Sequence, residues 1–361
     1  MNLDELSVLS LWSAMAIYAL AFIAFALDLA KRSAEVSAYA DEQAASASGA
    51  ASRADEMRAD EMRADEVRVD GAQAASARSA ASTTTTRSKA SSTATIERVD
   101  EDASDVTPKR SATLRIGVAL TIIGFLLHAT ADVTRGISAQ RVPWANMYEF
   151  AMTGTLLIVM VFLMVIVKVD LRFLGTFVMG LVLILLGVSG VNFYVAVVPL
   201  PPALQSAWLI IHVFVASLGT AFFGLGFALS GIQLFQHRRE LAGKDLKLLK
   251  LKFLATLPSS ERLENLAYRV NIVGFIFWTF TLMAGSIWAE RAWGRYWGWD
   301  TKEVWTFIIW VIYAGYIHAR ATRGWRGSRS AWLAIIGFAA VMFNFTIVNI
   351  FFKGLHAYSG L

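Results

Sequence analysis

Apolar positions along this 361-residue chain fall in long unbroken runs, not in the alternation of a half-buried strand. The runs lie near residues 7-29, 112-131, 146-167, 173-193, 207-235, 269-289, 303-320 and 331-352. A hydrocarbon core of roughly 30 Å takes about 20 helical residues. Each run meets that length, so the pattern predicts an all-α polytopic integral membrane protein with about eight transmembrane helices. Asp4 and Glu5 precede the first run, where a cleavable signal peptide would carry basic residues. Residues 1-29 are therefore expected to remain as an N-terminal transmembrane anchor.

Two polar stretches break the pattern. Residues 30-111 are dominated by Ala, Ser, Thr and charge, and residues 54 to 68 repeat ADEMR, ADEMR, ADEVR. A period of five does not match 3.6 residues per turn, and there is too little apolar surface to offset chain entropy. A disordered or partly helical cytoplasmic linker is expected, followed by a membrane domain over 112-361. The polar stretch between the fifth and sixth runs differs. Leu246, Leu249, Phe253 and Leu257 recur at helical spacing with lysines between them, a pattern that predicts a helix lying on an anionic inner leaflet.

Composition agrees with the pattern. Hydrophobic residues make up 56% of the chain and charged residues 17%, which excludes a soluble domain, and no nucleic-acid partner is expected. Basic residues then orient the spans. Lys31 and Arg32, Lys109 to Arg115, Lys168 and Arg172, the Arg238 to Lys252 loop, and Arg320 to Arg329 occupy alternate connections. The positive-inside rule makes these cytoplasmic, so eight spans place both termini outside. The connection between spans six and seven is then external too.

That connection, 288-305, reads W-A-E-R-A-W-G-R-Y-W-G-W-D-T-K-E-V-W. It carries five of the chain's 12 tryptophans: Trp288, Trp293, Trp297, Trp299 and Trp305. Aromatic residues do collect at membrane interfaces. Five in eighteen residues, interleaved with Gly294 and Gly298, instead suggest a broad apolar platform that backbone can approach closely. Arg291, Arg295 and Lys302 run against the local charge bias and suit a planar apolar ligand bearing carboxylates. Haem is such a ligand.

The histidines sort by depth. His212 lies six residues after Ser206, a candidate N-cap for span five, so it sits about 9 Å inside the helix start. His356 follows span eight, also on the outer side. Two histidines converging on an aromatic platform point to paired axial ligation of haem iron. His318 lies eighteen residues after Asp300, roughly 27 Å down span seven, and cannot share that iron. His237 belongs to the inner basic loop, while His128 is open between core and function. Asp300 with Glu303, and Asn146 with Glu149, read as capping boxes, and Asn344 and Asn349 as interhelical hydrogen bonds. The chain has no cysteine, so it offers no thiolate metal site, no thiol nucleophile and no mixed disulfide with a thiol-bearing substrate.

W-G-R-Y-W-G-W-D-T-K-E-V-W resembles the WWD signature of haem-handling proteins, specifically the CcsA/ResC family of System II cytochrome c biogenesis. P-W-A-N-M-Y-E-F before span three, P-P-A-L-Q-S-A-W-L-I-I-H and the terminal G-L-H-A-Y extend the likeness over roughly residues 112 to 361. The long linker after span one departs from the family core. The resemblance implies an external haem b site with His212 and His356 as axial ligands, ring contacts from Trp288, Trp293, Trp297, Trp299 and Trp305, and support from Asp300, Arg291 and Arg295. It also implies a transmembrane histidine ligand at His318 and a ResB-like partner. In that setting the chain would be a bacterial cell-membrane component of a holocytochrome c synthase, joining haem to the CxxCH segment of apocytochrome c. A transporter that delivers haem without attaching it, and a scaffold that binds no haem, are the alternatives.

Overall fold

A computed structural model describes residues 2–75, 111–197, 206–242, 252–322, 324–352 and 354–356. The chain divides into two compact units, Met1–Ala34 with Arg110–Leu361, and Glu35–Lys109. Among the described residues all regular structure is helical: α1 (Leu3–Ala75), α2 (Ala112–Ala139), α3 (Met147–Lys168), α4 (Gly175–Asn192), α5 (Ala207–Ala242), α6 (Ser260–Trp293), α7 (Thr301–Ala321), α8 (Ser328–Phe345) and α9 (Ile347–Phe351). Within the second unit, the linker expected at 30-111 is helical as far as Ala75. Alanine has the highest helix propensity, and the ADEMR repeat sets acids and arginines three residues apart, a spacing that supports a helix without an apolar face. The rest of that linker lies outside the described residues.

Among the described residues seven helices are long and apolar enough to cross a membrane. The eighth expected span, α7, is not among them, because Lys302, Glu303, His318 and Arg320 lower its hydropathy. At 21 residues it is about 31 Å long, and it is bonded to α6 from Thr306 to Arg320. Trp278 Nε1 donates to the Thr306 carbonyl at 3.1 Å, Trp310 Nε1 to Thr279 Oγ1 at 3.0 Å, and Arg320 to Asn265 Oδ1 at 2.7 Å.

Contacts at the helix ends show strict alternation. Fully buried Arg135, late in α2, donates to Asp4 at 2.5 Å, to Glu149 at 3.0 Å, and to the Val195 carbonyl at 2.5 Å. One end of the bundle thus gathers the starts of α1 and α3 with the ends of α2 and α4. A single cavity adds His212, Trp288, Lys302 and His356 beside Trp144 and Met147, bringing the starts of α5 and α7 and the ends of α6 and α8 to the same side. At the opposite end Thr113 donates to Asp28 at 3.1 Å, and the Ser260 amide to Glu240 at 2.8 Å.

Two apolar cores stack side by side between these ends. One joins α1 to α5 through Tyr18, Phe25, Met152, Phe162, Met179 and Leu225. The other, built by α5 to α8, centres on Phe223 and Tyr313, whose rings lie 3.5 Å apart and 5° from parallel. The α5–α6 connection departs from its expected role. Leu246 and Leu249 lie outside the described residues, but Leu254 and Leu257 are buried in the first core and Phe253 packs 6.3 Å from Phe177. The described part of this stripe, Phe253 and Leu257, therefore packs on protein.

Candidate functional site

The site begins at the start of α5. Ser206 Oγ accepts from the Trp208 amide at 3.3 Å, capping the helix as its sequence position predicts. His212, on the next turns, reaches across to α6, where its Nδ1 lies 3.0 Å from the Thr281 carbonyl oxygen. A carbonyl can only accept, so Nδ1 carries the proton and the Nε2 lone pair is left for a ligand. Gly285 makes the approach possible, since a Cβ there would stand 2.7 Å from the imidazole Cε1.

His356 is held in the same way by a different acceptor. Asp300, the N-cap of α7, forms a capping box with Glu303. Glu303 Oε2 accepts from the amides of Asp300 at 3.1 Å and Gly298 at 2.8 Å. The Asp300 carboxylate accepts from the Leu355 amide at 3.2 Å and from His356 Nδ1 at 2.8 Å. The hydrogen bond from His356 is the main cause that holds the Asp300 carboxyl below its ordinary range. His356 Nε2 is again the free nitrogen. Asn146 caps α3 through the Glu149 amide at 2.9 Å, but the Glu149 side chain turns back to the Ala145 amide and to Arg135 and Arg141, so that the expected box is incomplete.

Trp288 joins the two histidines. It is almost fully buried near the end of α6, stacks on His212 at 5.9 Å and 17°, and meets His356 edge-on at 5.6 Å. Trp293 lies 4.7 Å from Trp288 and 4.9 Å from His356. There α6 stops, because Gly294 takes φ +70° and turns the chain back toward α7. Both histidines, Trp288 and Trp297 line a cavity of about 220 Å³ that runs inward between α3, α5, α6 and α8, past Ile158, Thr220 and Phe338.

The other sequence-predicted residues are placed differently. Trp299 is 77% exposed, with φ 58°, and stands edge-on to Trp297 at 5.9 Å. Trp305 packs 4.3 Å from Phe343 in the apolar layer between α7 and α8. Arg291 lies over the Trp208 ring at 5.8 Å, and Arg295 is exposed. His318 is exposed near the far end of α7, and His237 is half-buried at the end of α5. His128 is fully buried in α2 against Tyr18, with 3.4 Å between its Nδ1 and the phenol oxygen. Thr281, Gly285 and the contact of Lys302 with Asn349 are the parts of the site that sequence reasoning missed. Only the missing side chain at Gly285 hinted at the first two. Asn344 does bond between helices, donating to Thr306 Oγ1 at 3.3 Å.

Residues 144–356 match the family described as Cytochrome C assembly protein. Proteins named Cytochrome c biogenesis protein CcsA are similar in sequence. That of Heterosigma akashiwo is 34% identical over 248 residues, covering 61% of this chain and 77% of its own. That of Guillardia theta is 35% identical over 263 residues, covering 68% and 86%, and that of Prochlorococcus marinus 40% over 177 residues, covering 44% and 56%. In structure the chain is similar to Cytochrome c Heme Lyase CcmF, with a TM-score of 0.55 at 14% identity over 96% of this chain and 47% of that one, a likeness of fold. The matched segment runs from Trp144 in the cavity wall to His356, and so contains the whole histidine and tryptophan cluster. On that match, and on the length of the CcsA alignments, the chain belongs to the CcsA family of cytochrome c assembly proteins.

Proposed function

We propose that the chain works in cytochrome c maturation by holding haem b, its substrate, between His212 and His356 at the outer face of the membrane, for attachment to apocytochrome c. The observation that carries this reading is the shared state of the two imidazoles. Each has Nδ1 bound to an acceptor, Thr281 O or Asp300, and each leaves Nε2 free beside one indole at one cavity. Such support orients a ligating imidazole and raises its basicity. Among the described residues no three His, Cys, Asp or Glu side chains cluster as a metal site. Two imidazoles alone suit an iron that brings its own equatorial donors, as haem does.

The chemistry asked of the protein is then mostly positioning. Each thioether forms when a cysteine S–H of the CxxCH segment adds across a haem vinyl group, sulfur to one carbon and hydrogen to the other, with no net oxidation. Trp288, Trp293 and Trp297 exclude water from the ring, and the two histidines fix the iron axis, so proximity supplies much of the acceleration. The histidine of CxxCH replaces one axial ligand as the product leaves. Lack of cysteine keeps the chain itself out of thiol exchange.

In this reading the end carrying the Trp288–Trp305 segment and both termini faces outward from a bacterial cell membrane, and α7 crosses with the other seven helices. His318, about 27 Å down α7 from Asp300, binds a second, inner haem together with a histidine from a ResB-like partner. The test is the absorption spectrum of the purified chain. Haem should give a low-spin Soret band that His212→Gly or His356→Gly removes and added imidazole partly restores. A band unchanged in both variants would defeat the reading. Thioether-linked haem on a CxxCH substrate, with only this chain and its partner present, separates attachment from delivery alone.

A further inference from the structure

The cavity holds a charge that the histidine site does not use. Lys302, in the first turn of α7, lines it together with Asn349 of α9, and Nζ donates to Asn349 Oδ1. Asn349 is aimed by its own amide, which donates to the Phe345 carbonyl at 2.7 Å. It comes within reach because α8 breaks at Thr346 and restarts as α9.

Among the described residues Nζ makes no ion pair. The two nearby acids are committed elsewhere, Asp300 to His356 and the Leu355 amide, Glu303 to the amides of Gly298 and Asp300. An ammonium offers three donors, and in a largely apolar cavity one neutral acceptor compensates it poorly. Trp288 Nε1, in the same cavity, is a buried donor with no partner among the described residues. Asn344 Oδ1 is an unmatched acceptor there among the described residues, and being neutral it adds no counter-charge, while Asp300 attracts the ammonium through space without forming an ion pair with it. The cavity is therefore short of an anion.

We propose that Lys302, positioned by Asn349, docks a carboxylate side group of the macrocycle held between His212 and His356. The inference rests on the haem reading above and deepens it. Two axial ligands leave a ring free to turn about the iron axis. A carboxylate fixed at the α7–α9 junction removes that freedom and decides which ring edge, and so which vinyl groups, faces the incoming thiols. Lys302 is thus a positioning residue for the reaction, not a participant in bond making.

The experiment compares haemin with haemin dimethyl ester on the full-length chain in detergent, following the Soret band. Iron ligation is common to both probes, so the difference isolates the carboxylates. The wild-type chain should bind haemin about tenfold or more tightly than the diester, the range expected for one charge-assisted hydrogen bond. Lys302→Met should abolish the preference, Lys302→Arg should keep most of it, and Asn349→Ala should weaken it. Equal binding of the two probes by the wild-type chain, with a band still dependent on His212 and His356, would overturn the dock and leave the haem reading standing. A preference undiminished in Lys302→Met would also overturn it. If neither probe gives a histidine-dependent band, the haem reading fails and the dock with it. The wild-type comparison decides the matter even if Lys302→Met does not fold.

Discussion

At the end of the bundle away from the histidines, Glu264 pairs with Arg320 at 2.7 Å and accepts from Ser330 at 3.0 Å and the Gly327 amide at 2.9 Å. Arg320 lies over the Tyr268 ring as well, and Gln233 donates to the Gly327 carbonyl. This cluster ties α5, α6, α7 and the start of α8 together, and its one acid and one arginine serve as each other's counter-ion. At the histidine end the same helices half-bury Lys302 and fully bury Trp288 Nε1, and there the indole donor is left unmatched among the described residues. The contrast separates two uses of buried polarity. A cluster that satisfies its own charge holds the fold, whereas one left short of a partner is shaped for something the chain does not contain.

The largest effect is expected where the Glu264 cluster is opened. Arg320→Met leaves Glu264 buried and unpaired, and removing one partner of a buried pair costs about 3–5 kcal/mol. The unfolding midpoint of the detergent-solubilised protein should fall sharply, and adding Glu264→Gln should recover a large part of the loss. His356→Ala, by contrast, should leave the ligand-free protein within about 1 kcal/mol of the wild type while abolishing the haem band. If the two variants destabilise equally, the division between the two ends is wrong.

A second, smaller effect isolates the support of one histidine. Asn caps a helix as well as Asp does, so Asp300→Asn should preserve α7 and cost only the small stability that the depressed carboxylate contributes at neutral pH. It removes the charge that His356 Nδ1 donates to, and losses of about 10–100-fold in affinity are typical when the partner of a ligating histidine is changed. Haem titration of the variant, read beside its melting curve, checks both halves. Gly285→Ala acts on the other histidine through overpacking, worth about 1–3 kcal/mol, because a Cβ at 285 meets His212 at 2.7 Å. Gly315→Ala, with nothing within 4 Å, is the control.

How much of this was legible in the chain depends on how local each signal is. His212, Trp288, Trp293, Asp300 and His356 lie together because helix phase and span order place them at one end. Trp299 and Trp305 share the same motif, yet one turns outward on a left-handed backbone and the other packs on Phe343. Motif density does not tell which indoles face inward. Lys302 and Asn349 are 47 residues apart, and their meeting depends on a break at Thr346 that hydropathy reads as continuous helix. Phe253 and Leu257 show the same limit, because an amphipathic stripe predicts a covered face without saying what covers it. Polar residues that belong to the site and to the Glu264 cluster are the reason α7 falls below the hydropathy of its neighbours. Function thus blurred the very pattern from which the fold was read.

The smallest expected effect concerns acid. Asp300 titrates below its ordinary value of 3.8, first because His356 donates to it. A carboxylate with a depressed folded value contributes stability that is complete above 3.8 and is lost as pH falls through the lowered value. The same carboxylate holds His356 and the Leu355 amide, so the segment after α9 should stay docked on the N-cap of α7 across the neutral range and loosen only in strong acid. Comparing the melting midpoint of the ligand-free wild type with that of Asp300→Asn at a series of pH values checks this. The difference should be constant from neutrality down to about pH 5 and shrink below it, since the amide side chain does not titrate. The Glu264 cluster contributes to both proteins and cancels from the difference. A gap that changed between pH 6 and 8 instead would assign the titration to the imidazole, and the depressed carboxyl would then not be what fixes His356 in place.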